Sequence, residues 1–156
     1  MVVEVKPLRF VIPGEPRGKG RPRFGRSRAG FAVAYTDAKT ATYENLVRLA
    51  AREAGVTPID GPLFVQVNAF FTVPQSWSKK RRASALDGAE APSRFDVDNI
   101  AKAVLDGLNG VAFADDKQIV TLLASKAFGH FARCEVQVFP VSGMKEQAVE
   151  ACEIRP

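Results

Sequence analysis

The 156-residue chain contains only two cysteines, one histidine and one tryptophan, and no long apolar run. Each shortage excludes something. Cys134 and Cys152 show neither CxxC nor Cys/His ligand spacing, so a structural zinc site and a disulfide framework are not expected, and a reducing cytoplasm is the expected compartment. His130, lacking a chemical partner nearby in sequence, reads as an exposed turn residue, not a ligand or general base. No apolar stretch approaches the ~20 residues of a membrane helix, and the start, Met1 to Lys6, lacks the charged and apolar regions of an export signal. No membrane partner is expected. The segment Gly14-Glu-Pro-Arg-Gly-Lys-Gly20 has too short a glycine spacing for a phosphate-binding P-loop, and Gly20 stands where a Mg²⁺-binding Ser or Thr is needed, so no nucleotide cofactor is expected.

What the chain does have is localised charge. Of 22 Lys and Arg residues, ten lie in two short runs: Arg17, Lys19, Arg21, Arg23, Arg26 and Arg28, then Lys79, Lys80, Arg81 and Arg82. Elsewhere 12 basic residues face 17 acidic ones, so the net charge of +5 comes from the runs. Basic patches on an otherwise acidic body suit a polyphosphate partner, although solvated loops have the same composition.

Hydrophobic patterning outlines one domain, long enough to bury about two-thirds of its unfolded surface. Leu8 to Ile12 alternate as a strand closed by Pro13-Gly14. Two prolines and two glycines between Glu15 and Phe24 predict an extended, exposed basic loop, neither helix nor ladder. Thr36 or Asp37 caps a predicted helix reaching about Ala54, with Gly55 as its stop and Tyr43, Leu46, Val47 and Ala50 on its apolar face. Leu63 to Val73 alternate as a long central strand, and Pro74 to Ser93 read as an irregular loop. Within that loop Trp77 fits either stacking on a base or anchoring the loop. Gln118 to Phe128 and Phe131 to Phe139 read as two strands of a hairpin turning at Gly129-His130. The expected fold is a single α+β domain over residues 1–140, in the order β-α-β-α-β-β, with helices packed on a mixed sheet. Residues 141–156 are expected to form a poorly ordered tail or a short surface helix.

The stretch from Arg94 to Ile119 concentrates the chemistry. Asp98 occupies a predicted N-cap, and Ile100, Ala101, Val104, Leu105 and Leu108 follow at helical spacing before Gly110. At ~100° per residue, Asp98, Lys102, Asp106 and Asn109 share the opposite, polar edge. A rise of ~1.5 Å per residue puts Asp106 ~12 Å along the axis from Asp98, too far to share a metal's inner sphere. Asp96 and Asp98 can aim at one point if the chain enters the helix extended, and a returning strand can bring in Asp115 or Asp116. Converging carboxylates need a cation, and an all-oxygen donor set suits Mg²⁺ or Mn²⁺. A plainer reading fits equally well: Asp98 as cap, Asp98 and Lys102 as a surface pair, Asp115-Asp116 as a turn.

The run from Phe95 to Ile119, with its D-x-D-N-x-x-K helix, aspartate pair and following Gln, resembles the signature of the RusA family of Holliday-junction resolvases. Gly18-Lys-Gly-Arg-Pro-Arg-Phe24, Pro74-Gln-Ser-Trp-Ser-Lys-Lys-Arg81 and Lys126 resemble phage-type members, so the similarity covers most of Pro7 to Pro140. The resemblance implies Asp96, Asp98 and Asp116 as metal-binding acids, Lys102 as the catalytic lysine, and supporting roles for Asn99 and Asp115. It implies a homodimer acting on branched DNA, a four-way junction, with Mg²⁺ as cofactor and Mn²⁺ as substitute. The cations expected to contact DNA are Arg17, Lys19, Arg21, Arg23, Lys79, Lys80, Arg81 and Lys126. The competing expectation is a structure-selective DNA-binding protein without catalysis, its acids structural or vestigial.

Overall fold

A computed structural model describes residues 7–21 and 23–141. Four strands make one mixed sheet: β1 (Leu8–Pro13), β4 (Leu63–Thr72), β5 (Ile119–Gly129) and β6 (Arg133–Pro140), in the order β1-β6-β4-β5. β4 runs parallel to β5 and antiparallel to β6. Helix α1 (Ala38–Glu53) and helix α3 (Val97–Leu108) pack against each other on one face of this sheet. The expected α+β class and the expected sequence of principal elements therefore describe the molecule.

Side-chain alternation explains the layering. Leu63, Val65, Val67, Ala69 and Phe71 of β4 are buried, as are Cys134, Val136 and Val138 of β6 and Phe10 and Ile12 of β1. Their inward face meets Tyr43, Val47, Ala50 and Ala51 of α1 and Ile100, Val104 and Leu108 of α3. The helices meet closely at Gly107, where an added Cβ would fall 2.7 Å from Val47 Cβ and 3.0 Å from the Glu44 carbonyl oxygen. The sheet's other face is uncovered by either helix and carries the edge-on pair Phe64 and Phe139, with ring centroids 5.7 Å apart.

Three local expectations are corrected. The strands on either side of Gly129-His130 do not form a hairpin, because β4 lies between β5 and β6 and the connection crosses its end. Long-range pairing with the apolar β4 outweighs the local turn signal. The segment after Pro13 is not a bare loop: Pro16 and Gly18 are buried, and the Lys19 amide donates to the Asn99 carbonyl at 2.9 Å. Beyond it, β2 (Arg23–Arg26) and β3 (Ala32–Tyr35) form a separate two-stranded antiparallel ribbon. Within the ribbon the Tyr35 ring lies across Gly25, where a Cβ would fall 2.9 Å from Cε2.

The third correction concerns the stretch from Pro74 to Ser93, which contains helix α2 (Lys79–Leu86). Ser78 caps it by accepting from the Arg81 amide at 3.3 Å, and Gly88, at φ +87°, follows its end. Trp77 is the anchor of this region: the Arg81 guanidinium lies 3.6 Å from its ring centroid, and Phe128 meets it edge-on at 5.5 Å. The expectation for residues 141–156 lies outside the described residues, apart from Val141, whose amide donates to the Pro62 carbonyl at 2.9 Å. No described helix is long and apolar enough to cross a membrane.

Candidate active site

The N-terminus of α3 carries the first acidic pair. Asp96, not Asp98, is the N-cap residue, in extended backbone conformation (φ −75°, ψ 145°), and its side chain makes no capping hydrogen bond. Asp98 falls in the first helical turn, where a carboxylate is favoured by the amide groups of the helix start. Asp96, Asp98 and Asn99 are all exposed, so their polar atoms are available to a ligand.

The residue before this pair adopts an unusual backbone conformation. Phe95 has φ +55°, the left-handed region, with no glycine to ease it. Three contacts surround it. The Lys126 ammonium, reaching in from β5, donates to the Phe95 carbonyl at 2.8 Å. Gly18 abuts the ring so closely that a Cβ there would lie 3.0 Å from Phe95 Cδ1. Arg17 and Arg94 lie over the ring at 6.0 and 5.6 Å from its centroid. Lys126 therefore braces the chain at Asp96.

The second acidic pair is held by a compact turn. Asp115 accepts from the Lys117 amide at 2.9 Å. Gln118 Oε1 accepts from the Ala114 and Asp115 amides at 2.9 and 3.3 Å, and its Nε2 donates to the carbonyls of Ile59 and Gly61 at 2.9 and 3.0 Å. Gln118 thus ties the aspartate turn to the segment leading into β4. The Lys117 amide, followed by the local charge of Lys117, outweighs desolvation and lowers the Asp115 carboxyl below its ordinary value.

Lys102 joins the two halves. Its ammonium lies 2.9 Å from Asp106 Oδ1, one helical turn on, and donates to Asp116 Oδ2 at 3.3 Å. Asp106 Oδ2 also accepts from Lys19, whose ammonium lies 3.4 Å from Glu44 Oε1 of α1. That buried Glu44 oxygen pairs by charge only, for it receives no hydrogen bond. The result is an alternating chain, Glu44, Lys19, Asp106, Lys102, Asp116, running from the helix interface to the surface. Asp106 is 18% exposed and Asp116 39%, so the carboxylate nearest solvent is also the one on the aspartate turn.

The electrostatics follow this gradient. Burial alone would raise the Asp106 carboxyl, but hydrogen bonds from Lys19 and Lys102 outweigh it and hold the group below the usual carboxylate range. The Asp106 hydrogen bond raises the Lys102 ammonium above its ordinary value despite partial burial. For Lys19, burial opposes the charge, and its pairing with Asp106 and Glu44 overcomes that opposition. Lys102 therefore remains an ammonium throughout the neutral range and acts there as a fixed cation, not as a base.

The predicted site residues divide accordingly. Lys102 and Asp116 are in direct contact, with Asp115 beside them; Asp96 and Asp98 stand at the start of the helix that carries Lys102. Among the described residues no group of three His, Cys, Asp or Glu side chains is gathered so as to hold a metal ion. The donors' chemistry nevertheless suits a hard cation, since Asp96, Asp98 and Asp116 offer carboxylate oxygens only. Of the expected DNA contacts, Lys19 is committed to Asp106 and Glu44, and Arg81 to Glu90 at 2.8 Å. Arg21, Arg23, Lys79 and Lys80 are exposed and form no ion pair among the described residues, and Arg17 is half-buried beside Phe95.

Sequence reasoning missed Glu44 and the bracing role of Lys126. Glu44 falls on the polar side of α1's periodic pattern and looks like any solvated acid; only the approach of α1 to α3 at Gly107 puts it beside Lys19. Among the core polar groups, Tyr43 donates its hydroxyl to Cys134 Sγ at 3.3 Å. Burial pushes that thiol up to about 11, leaving it unreactive at neutral pH.

Comparison with known proteins gives two results. The model of the family described as "Endodeoxyribonuclease RusA" matches residues 13–139. A Bacillus subtilis (strain 168) protein called "Uncharacterized protein YqaN" is 36% identical over 139 residues, covering 86% of this chain and 97% of that protein.

Proposed function

Since the chain belongs to the RusA endodeoxyribonuclease family, we propose that it is a homodimeric, Mg²⁺-dependent endonuclease that resolves four-way DNA junctions by paired nicks in recombination and repair. The observation that carries this reading is the contact of Lys102 with Asp116 at 3.3 Å, which unites the helix bearing Asp96 and Asp98 with the turn bearing Asp115 and Asp116. An isolated surface pair would not need both motif halves, nor the half-buried Lys19 and Asp106 behind it.

Asp96, Asp98 and Asp116 would hold the metal, with Mn²⁺ as a substitute. When bound, the ion supplies Lewis-acid charge at a phosphoryl oxygen and lowers the pKa of water. The protein's own part is positioning. Hydrolysis breaks one P–O bond to a deoxyribose oxygen while a water oxygen forms a new one, and the Lys102 ammonium offsets the negative charge that grows on the phosphoryl oxygens. Asn99, exposed on the same turn, and Asp115, which shapes the aspartate turn, support the site. Arg17, Arg21, Arg23, Lys79 and Lys80 engage the DNA backbone, and the compartment is the cytoplasm.

The test is direct. Asp96→Asn and Asp116→Asn should each bind a four-way junction like the parent while nicking it at least ~100-fold more slowly with Mg²⁺. Parent-like cutting by both variants would remove these residues from the site. If the parent binds junctions but cuts none with Mg²⁺ or Mn²⁺, the non-catalytic DNA-binding reading replaces this one.

A further inference from the structure

The β2–β3 ribbon leaves a large aromatic side chain uncovered. Pairing places Phe24 opposite Ala34 and Arg26 opposite Ala32, so one face of the ribbon carries a ring and a guanidinium with only methyl groups across from them. Phe24 is 80% exposed. A phenylalanine in a two-stranded ribbon ordinarily packs against a bulky cross-strand neighbour, and alanine gives it none. At the turn, Phe31 is 73% exposed, and the Ser27 amide donates to its carbonyl at 2.8 Å, extending the pairing by one step and placing that ring on the opposite face.

The surroundings specify the chemistry of a partner. Residues 16–36 contain no acid. Arg21, Arg23, Arg26 and Arg28 are exposed and form no ion pair among the described residues. A flat apolar ring among unpaired guanidinium groups matches an unstacked nucleobase flanked by phosphates: the ring takes the base face and the arginines take the backbone. An apolar protein partner would leave four cations without counter-charges.

We propose that the β2–β3 ribbon is a base-stacking arm, in which Phe24 takes the face of a nucleobase unpaired at a DNA branch point while Arg26, on the same face, holds an adjoining phosphate. This rests on the proposal that branched DNA is the substrate and adds how the branch point is recognised. The contribution assigned to the arm is to binding and not to the chemical step.

The experiment uses the full chain, a four-way junction with 2-aminopurine at the branch point, and a matched linear duplex. Phe24→Tyr, Phe24→Leu and Phe24→Ala are compared with the parent in metal-free buffer. The parent and Phe24→Tyr should bind the junction equally and change the probe's emission alike. Phe24→Leu and Phe24→Ala should lose about tenfold in junction affinity and most of the emission change, the worth of one stacked base, with duplex affinity and melting temperature unaltered. Parent-like binding and emission with Phe24→Ala would overturn the inference while leaving the nuclease reading intact. Failure of the parent to bind or cut any branched DNA would overturn both. Binding of the parent to anionic phosphatidylserine vesicles, lost in Phe24→Ala with junction binding unchanged, would reassign the arm to a membrane surface.

Discussion

At the residue scale, the site is organised by Asp106, an aspartate that helix geometry keeps away from Asp98 but that holds two lysines. Its carboxyl is depressed by Lys19 and Lys102 after burial is overcome, so its contribution to stability is present above the unfolded-state pKa of ~4 and is lost as pH falls through the lower folded value. The two lysines are raised, so their contribution is present below ~10 and is lost as pH rises through their folded values. Stability should therefore be level between about pH 5 and 9 and decline on either side. Asp106→Asn should lower stability at pH 7 by about 2 kcal/mol, because Lys19 loses its closest counter-ion, and should flatten the acid limb. Thermal melts across pH check this; an unchanged acid limb in the variant would show that Asp106 does not carry the effect.

Lys126 gives a second prediction at this scale. Its bond to the Phe95 carbonyl braces a left-handed residue directly before Asp96. Lys126→Met keeps the aliphatic stem and removes the donor, so nicking should slow by about 10- to 100-fold through misplacement of Asp96 while junction affinity changes little. A loss of affinity with unchanged turnover would return Lys126 to direct DNA contact.

At the element scale, α3 is both a core element and the carrier of the site. Gly107 is where the two roles meet. Gly107→Ala gains helix propensity of ~1 kcal/mol but forces a Cβ into Val47 and the Glu44 carbonyl. Overpacking of this kind costs ~1–3 kcal/mol, so a net loss of about 1 kcal/mol should appear as a lower urea midpoint. Nicking should fall with it, since moving α3 from α1 separates Glu44 from Lys19 and shifts Asp106. A variant as stable and active as the parent would mean that the helices are free to part.

The elements also differ in how far the sequence discloses them. α1, β4 and α3 follow from periodicity because their packing partners demand one buried face. α2 was hidden by its polarity: only Ala85 is buried, so no apolar stripe marks it, and Ser78 is its one local signal. The ribbon was hidden by the glycines and prolines around it, and the β5–β6 arrangement by a turn signal that carries no information about which strand lies between.

At the scale of the whole molecule, charge and assembly decide function. The acid-free ribbon and the start of α2 present unpaired cations, while the network around Asp106 consumes its own. Junction binding should therefore depend steeply on salt through the ribbon. Replacing Arg21, Arg23 and Arg26 together with serine should reduce the slope of log affinity against log salt by ~0.9 for each phosphate no longer neutralised. An unchanged slope would make the ribbon a bystander. On the proposed reading, in which two centres nick across a two-fold junction, light scattering should find twice the chain mass in solution.

By itself the sequence determined the fold class, the helix bearing Asp96 to Asp106, the second aspartate pair and the local basicity, because alternation, helical period and composition are written in residues near one another. Only the tertiary structure decided which charges meet. It put Lys19 beside Asp106, set Lys126 behind Phe95, and placed Lys102 between Asp106 and Asp116. Apart from Lys102 with Asp106, one helical turn apart, those pairings join residues up to 87 positions apart, and no local period encodes them. They arise when α1, α3 and β5 are brought together around a shared core, and the polar groups then find their partners at its edge.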